Sequence, residues 1–170
     1  MTKQIVVALA LVVGTAGAAS AQASIAANAS VAQVAQETGV ERDLVFAQAT
    51  PGGTGGVSVT AAATAANASG PQLGFVEYEL NYAGPDVSVS APATLSDGGT
   101  NTIAVTFTCG ESDAAGTGLA LAACGSHALG FTGSGLQTRR VWVGGSIGQA
   151  AIDAAAATSY SGTITLTLIP

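Results

Sequence analysis

The chain has 170 residues, of which 8% are charged and 48% hydrophobic, and its formal net charge is −6. This length is enough for one domain with its own core. The negative charge repels nucleic acid and anionic lipid, and the basic pair Arg139 and Arg140 is too small to reverse that repulsion. We therefore expect no nucleic-acid partner.

Residues 1–21 have the pattern of a secretory signal peptide. Lys3 is followed by an uninterrupted apolar run at residues 5–13 and then by small residues. We expect cleavage after Ala21 or Ala23, and the loss of Lys3 takes the net charge from −6 to −7. The apolar run is shorter than the ~20 residues that span a bilayer. The pattern predicts a secreted chain without a membrane span, placed in the periplasm, at the cell surface or outside the cell.

Residues 22–39 form a predicted N-terminal extension that carries two competing patterns. An alternation of small and apolar side chains indicates a short strand. The same stretch also fits a helix that ends at Gly39. We favour the strand, whose one face is formed by Ile25, Ala27, Ala29 and Val31.

Residues 40–170 contain a series of short alternating stretches separated by turns rich in glycine and proline. Seven or more short strands without a long helix predict an all-β domain, an antiparallel β-sandwich of immunoglobulin-like or pilin-like type. The alternation fits a closed barrel equally well. The predicted strands lie at residues 40–46, 57–59, 76–82, 87–91, 103–107, 141–143, 147–152 and 160–169.

The alternation also assigns the faces of individual strands. Tyr78 is expected to point to the core, whereas Glu77 and Glu79 are expected on a solvated side. In the closing strand, Leu166 is expected to be buried and Thr165 to be exposed.

Two cysteines, Cys109 and Cys124, give an even count in a chain that is expected to be exported, so a disulfide is the first interpretation. Closing a loop of this length stabilises a fold by ~3 kcal/mol in the chain-entropy model. The alternative is a metal site that uses both thiols and His127. That site lacks a fourth ligand of suitable type and spacing.

Catalytic patterns are weak throughout the chain. His127 is the only histidine, and Ser126 beside it is not in the context of a nucleophile elbow. Glu77 and Glu79 resemble a carboxylate pair but are explained by their place on a solvated strand face. The glycine-rich turn at residues 52–56 lacks the lysine of a phosphate-binding loop. We assign no catalytic, cofactor-binding or metal-binding residue and expect a protein that is not an enzyme.

Three stretches resemble a family of secreted bacterial β-domains. Residues 43–47 with residues 52–59 are similar to an early strand, a glycine turn and a second strand, residues 144–147 to a glycine pair that opens a late strand, and residues 160–167 to a closing strand. The family is domain of unknown function 4402, which is similar to spore coat protein U and to archaic chaperone–usher pilins.

The resemblance implies a structural domain of the periplasm or cell surface. In pilin-like relatives, the open groove of one subunit is filled by the N-terminal strand of its neighbour. The corresponding donor strand here would be formed by Ile25, Ala27, Ala29 and Val31, with self-assembly and a periplasmic chaperone as the implied partners.

Two functions follow from these observations. The first is a non-enzymatic structural subunit of a surface fibre or matrix, which fits the signal peptide, the low charge and the β-pattern. The second is a monomeric secreted module that binds a carbohydrate or a protein, for which Trp142 and Tyr82 are the aromatic candidates. A lone tryptophan more often lies in a core or a subunit contact, and we expect this of Trp142.

Overall fold

The structure is a computed structural model that describes residues 32–63 and 70–170. Within these ranges lie eleven strands, one short α-helix, α1 (Gln149–Asp153), and a 3-10 turn at Ala61–Ala63. The strands are β1 (Ala35–Arg42), β2 (Val57–Val59), β3 (Gly74–Leu80), β4 (Asp86–Ser90), β5 (Thr94–Ser96), β6 (Thr102–Ala104), β7 (Thr106–Asp113), β8 (Ala122–Ala123), β9 (Ser126–Ala128), β10 (Gln137–Ile147) and β11 (Thr165–Ile169).

Two antiparallel sheets and a two-stranded hairpin make up the fold, which confirms the predicted all-β sandwich. The main sheet has the strand order β1-β3-β10-β7-β8, with β2 paired to the end of β10, and the second sheet has the order β11-β4-β9. A separate hairpin is formed by β5 and β6. One core cluster joins the inner faces of the two sheets: Tyr78, Leu80, Cys109, Val141 and Val143 come from the main sheet, and Val87, Val89 and Leu129 come from β4 and the end of β9.

The period-2 alternation places side chains on both faces of the main sheet. Tyr78 and Val141 lie in the core between the sheets, as predicted for Tyr78. Glu77 lies on the opposite face but is not simply solvated, because its carboxylate is 2.8 Å from the Arg140 guanidinium. The prediction that this face is solvated is therefore wrong around Arg140, where long-range pairing of β3 with β10 brings the two charges together.

A second core covers the outer face of the main sheet. Trp142 is only 1% exposed and packs with Phe75, Val59 and Leu73. The chain after β7 folds back over this face and adds Leu119 and Leu121. The expectation that Trp142 is a core residue is confirmed, and its core is the one outside the sheet.

Gly110 lets this returning segment approach the sheet. A Cβ atom at Gly110 would lie 2.2 Å from the Ala120 carbonyl oxygen, closer than any real contact. We predict that Gly110→Ala lowers the free energy of unfolding by about 2 to 3 kcal/mol, because overpacking against a backbone atom forces the chain apart. Gly125→Ala is the matched control, since a Cβ at Gly125 meets nothing within 4 Å. Equal urea midpoints for the two variants would contradict this packing.

The disulfide between Cys109 and Cys124 is present, with a Cα–Cα distance of 4.8 Å, which confirms the predicted pairing. It joins β7 of the main sheet to the turn that leads into β9 of the second sheet. Because both thiols are oxidised in this bond, they cannot serve as ligands, and the alternative metal site with His127 is excluded.

Several element boundaries differ from the sequence-based expectation. The predicted strand 147–152 is the end of β10 followed by α1, because alanines 150 and 151 favour helix and Ile152 packs its side chain into a core. The predicted strand 103–107 is divided between β6 and β7. The closing strand β11 begins at residue 165 rather than 160, and β1 begins at residue 35, before the predicted boundary at residue 40.

Candidate functional site: an open groove between two strand edges

An open groove of about 1120 Å³ lies on one side of the sandwich. One wall is the end of β1 with the chain that follows it, residues 41–51, and the other is residues 158–166, which include the start of β11. Its depth is apolar, because buried side chains from three parts of the fold line it. These are Val143 and Ile147 of β10, Leu95 and Ile103 of the β5-β6 hairpin, and Ile152 of α1.

The first wall continues the edge of the main sheet. Val45 makes one bridge to Gln72, with backbone N–O distances of 3.0 and 2.9 Å. Beyond it, no backbone hydrogen bond joins residues 46–49 to another described residue. Leu44 and Phe46 pack into the cores, which holds this wall in place.

The second wall leads into β11, the edge strand of the other sheet. Before β11 begins, Ser161 forms a backbone bridge to Ser96 of β5, with N–O distances of 2.8 and 2.7 Å. β11 pairs with β4 on one side, and among the described strands it has no partner on its other side. Leu166 faces the core and is half-buried, whereas Thr165 is exposed, so the predicted facing of this strand is confirmed. Leu166 is not fully buried because it lines the groove.

Side chains of α1 bind the loop that follows the first wall. Asp153 accepts a hydrogen bond from the Gly52 N–H at 2.8 Å, and Gln149 donates to the Thr50 carbonyl at 3.2 Å and accepts from the Gly56 N–H at 3.2 Å. The bond from Gly52, and then that from Gln149, hold the pKa of Asp153 below its usual value. The loop at residues 50–56 is therefore tied to the helix rather than folded into the groove.

Gln149 and Asp153 have no signal in the sequence that indicates this role. They carry no motif, and their partners in the loop lie 93 to 101 residues away in the chain. The glycines of residues 52–56 predict a turn, but its attachment to α1 has no local signal.

The other sequence candidates do not meet at the groove. The donor residues Ile25, Ala27, Ala29 and Val31, like the signal peptide, lie outside the described residues. The Nε2 atom of His127 is buried without a hydrogen-bond partner among the described residues, and no acid or nucleophile is paired with it.

Three further observations concern ligands and membranes. Trp142 cannot stack on a sugar, because it is 1% exposed beneath the returning chain. Within residues 32–63 and 70–170, no three His, Cys, Asp or Glu side chains come together in a group that could bind a metal. No helix in the same ranges is long and apolar enough to cross a membrane.

Comparison with known proteins adds no relative: no family model, no curated protein and no solved structure matches the chain. The resemblance to secreted β-domains therefore depends on the three short sequence stretches alone.

Proposed function

We propose that this protein is a non-enzymatic structural subunit that assembles into a surface fibre or matrix by strand addition. The observation that carries the proposal is the pair of strand edges that flank one apolar groove. An exposed edge presents unpaired N–H and C=O groups, and proteins generally cover such edges. An extended segment placed between them would complete backbone hydrogen bonds and bury alternate side chains in the groove.

The proposed occupant is the N-terminal segment of a second copy. Its alternate residues Ile25, Ala27, Ala29 and Val31 present one face of small and apolar side chains, as a strand in an apolar groove requires. The segment carries no charged side chain that would be desolvated on insertion. Its composition therefore fits the groove.

The chain's reach favours a second copy over the segment's own domain. The side chain of Asn81 accepts a hydrogen bond from the Val34 N–H at 2.8 Å and donates to the Ala32 carbonyl at 2.9 Å, which keeps this stretch in line with β1. Because the bulge between Glu37 and Glu41 takes up two residues, about seven extended residues, roughly 23 Å, separate Ala32 from the near end of the groove at Glu41. Residues 25–31 span at most about 25 Å. Nearly the whole length of residues 25–31 would be needed to reach the groove of their own domain, and too little would remain to fill it.

Export supports the same function. The signal-like N-terminus predicts secretion, and the disulfide is compatible with an oxidising compartment. An unfilled groove also explains the implied chaperone partner, because an open apolar groove needs a cover until assembly.

Negative-stain microscopy and sedimentation of the mature protein test this function. We predict fibres for the mature chain and none after deletion of residues 24–31, because deletion removes the strand that fills the neighbour's groove. Ala27→Asp should also abolish assembly, since it places a charge in the groove, whereas Asn28→Asp on the opposite face should assemble normally. A mature chain that stays a monodisperse monomer would overturn the proposal and favour a monomeric binding module.

A further inference from the structure

Charged side chains line only one end of the groove. Among its lining residues the charged ones are Glu41, Arg42 and Asp43, and the remainder of the lining is uncharged. Arg42 belongs to the outer face of the sheet: its Nε donates to the Leu73 carbonyl at 2.8 Å, and its guanidinium lies 4.9 Å from the Phe75 ring centre. Arg42 keeps its positive charge but directs its guanidinium to these outer-face groups, so the two charged groups at this end that it does not occupy are the carboxylates of Glu41 and Asp43.

Both carboxylates are open to a partner. Glu41 and Asp43 are exposed, and neither forms an ion pair with another described residue. The groove thus has two lining carboxylates at the end formed by Glu41 and Asp43 and no charged lining residue near Tyr160, where the Asp153 carboxylate is bound by the Gly52 N–H and the Gln149 side chain outside the lining.

The proposed occupant has a single charge of the opposite sign. The only lysine of the chain is Lys3, within the signal, and no charged side chain occurs from residue 22 to residue 36. Cleavage of the signal creates an α-ammonium group at Gln22 or Ser24, which is largely protonated at pH 7 because its pKa is about 7.7 to 8.0.

On the basis of the proposed function, we infer that the α-ammonium of one mature subunit binds Glu41 and Asp43 of the next subunit and sets the direction in which the strand enters the groove. The lengths agree. The wall from residue 41 to residue 51 has eleven residues, and a strand from residue 22 or 24 to Val31 has ten or eight. A strand whose amino end lies at Glu41 then ends inside the groove.

The direction follows from the core cluster that each part of the two walls packs against. Leu44 shares a core cluster with Ile164 and Leu166, whereas Phe46 and Ala49 share one with Tyr160, so the two walls run in opposite directions. A strand that starts at Glu41 runs parallel to residues 41–51 and antiparallel to the wall that continues into β11. Signal cleavage therefore favours assembly in this direction, because the uncleaved chain has no ammonium at this position.

The absence of lysine after residue 21 provides a clean test. Acetic anhydride at neutral pH acetylates the α-amino group as the single amine of the mature chain and removes its charge. The concentration at half-assembly is measured by light scattering and sedimentation at low salt for free and acetylated mature protein. Because an exposed ion pair contributes little, we expect acetylation to raise this concentration about threefold to fivefold.

Two double variants locate the effect. In the double variant Glu41→Gln with Asp43→Asn, acetylation should leave the concentration at half-assembly unchanged, because the carboxylates that would bind the ammonium are absent. In Glu79→Gln with Asp86→Asn, which removes the same charge at positions that do not line the groove, acetylation should retain its full effect. An equal response of all three proteins, or no response of the unmodified sequence, would overturn the ammonium site while leaving strand addition intact. Failure of the free mature protein to assemble would overturn both.

Discussion

Trp142→Ala is expected to lower the free energy of unfolding by about 3 to 5 kcal/mol, the range for truncating a large buried aromatic side chain. Trp142 is almost fully buried, and its ring centre lies 5.0 Å from that of Phe75 at a tilt of 58°. The guanidinium carbons of Arg42 and Arg140 each lie 5.6 Å from its ring centre. Removal of the ring leaves a cavity beneath Leu121 and takes a partner from both cations.

Trp142→Phe and Thr138→Ala are the comparisons. The phenylalanine variant keeps an aromatic ring. It also removes the indole N–H, which is buried without a hydrogen-bond partner among the described residues. We therefore expect it to lower the free energy of unfolding by only about 1.5 kcal/mol. Thr138 lies on the same face of β10 but is exposed, and its replacement should cost under ~0.5 kcal/mol. Urea unfolding followed by circular dichroism measures all three. Similar midpoints for Trp142→Ala and Thr138→Ala would contradict a second core on this face.

The outer core shows what sequence alternation can and cannot predict. The pattern around Trp142 separates the two faces of β10 correctly, because a strand has a period of two residues. It does not say what covers the outward face. That cover includes Leu119 and Leu121, which lie in a glycine-rich stretch. The return of this stretch to the sheet depends on Gly110 and on the disulfide at Cys109. Neither Gly110 nor the disulfide produces a periodic pattern in the sequence.

The same limit applies to the groove. The facing of Leu166 in the closing strand is predictable from five residues of alternating sequence. That β11 has one partner strand, and that residues 46–49 continue an edge without a partner, depends on pairings between distant segments. Local patterns therefore predict the strands and the inward faces, whereas the open edges that form the candidate site are a property of the sheet order.

Leu166→Asp is expected to separate folding from assembly. Leu166 is half-buried on the groove wall, so a carboxylate there keeps some contact with water in the free subunit and should lower the free energy of unfolding by about 1 to 3 kcal/mol. When a strand fills the groove, the same carboxylate loses that water without gaining a partner. We expect assembly to be lost at concentrations where the unmodified protein forms fibres.

Thr165→Asp is the matched control, because it adds the same charge one residue earlier on the exposed face of β11. It should change the unfolding free energy by less than ~0.5 kcal/mol and leave fibres intact. Stability is measured by urea unfolding in a background that carries Ala27→Asp, so that only unassembled chain is present, and assembly is measured by sedimentation without that background. Loss of fibres in both Asp variants would mean that assembly uses the outer face of the second sheet. Fibres in both would mean that the groove between β11 and residues 41–51 stays empty in the polymer.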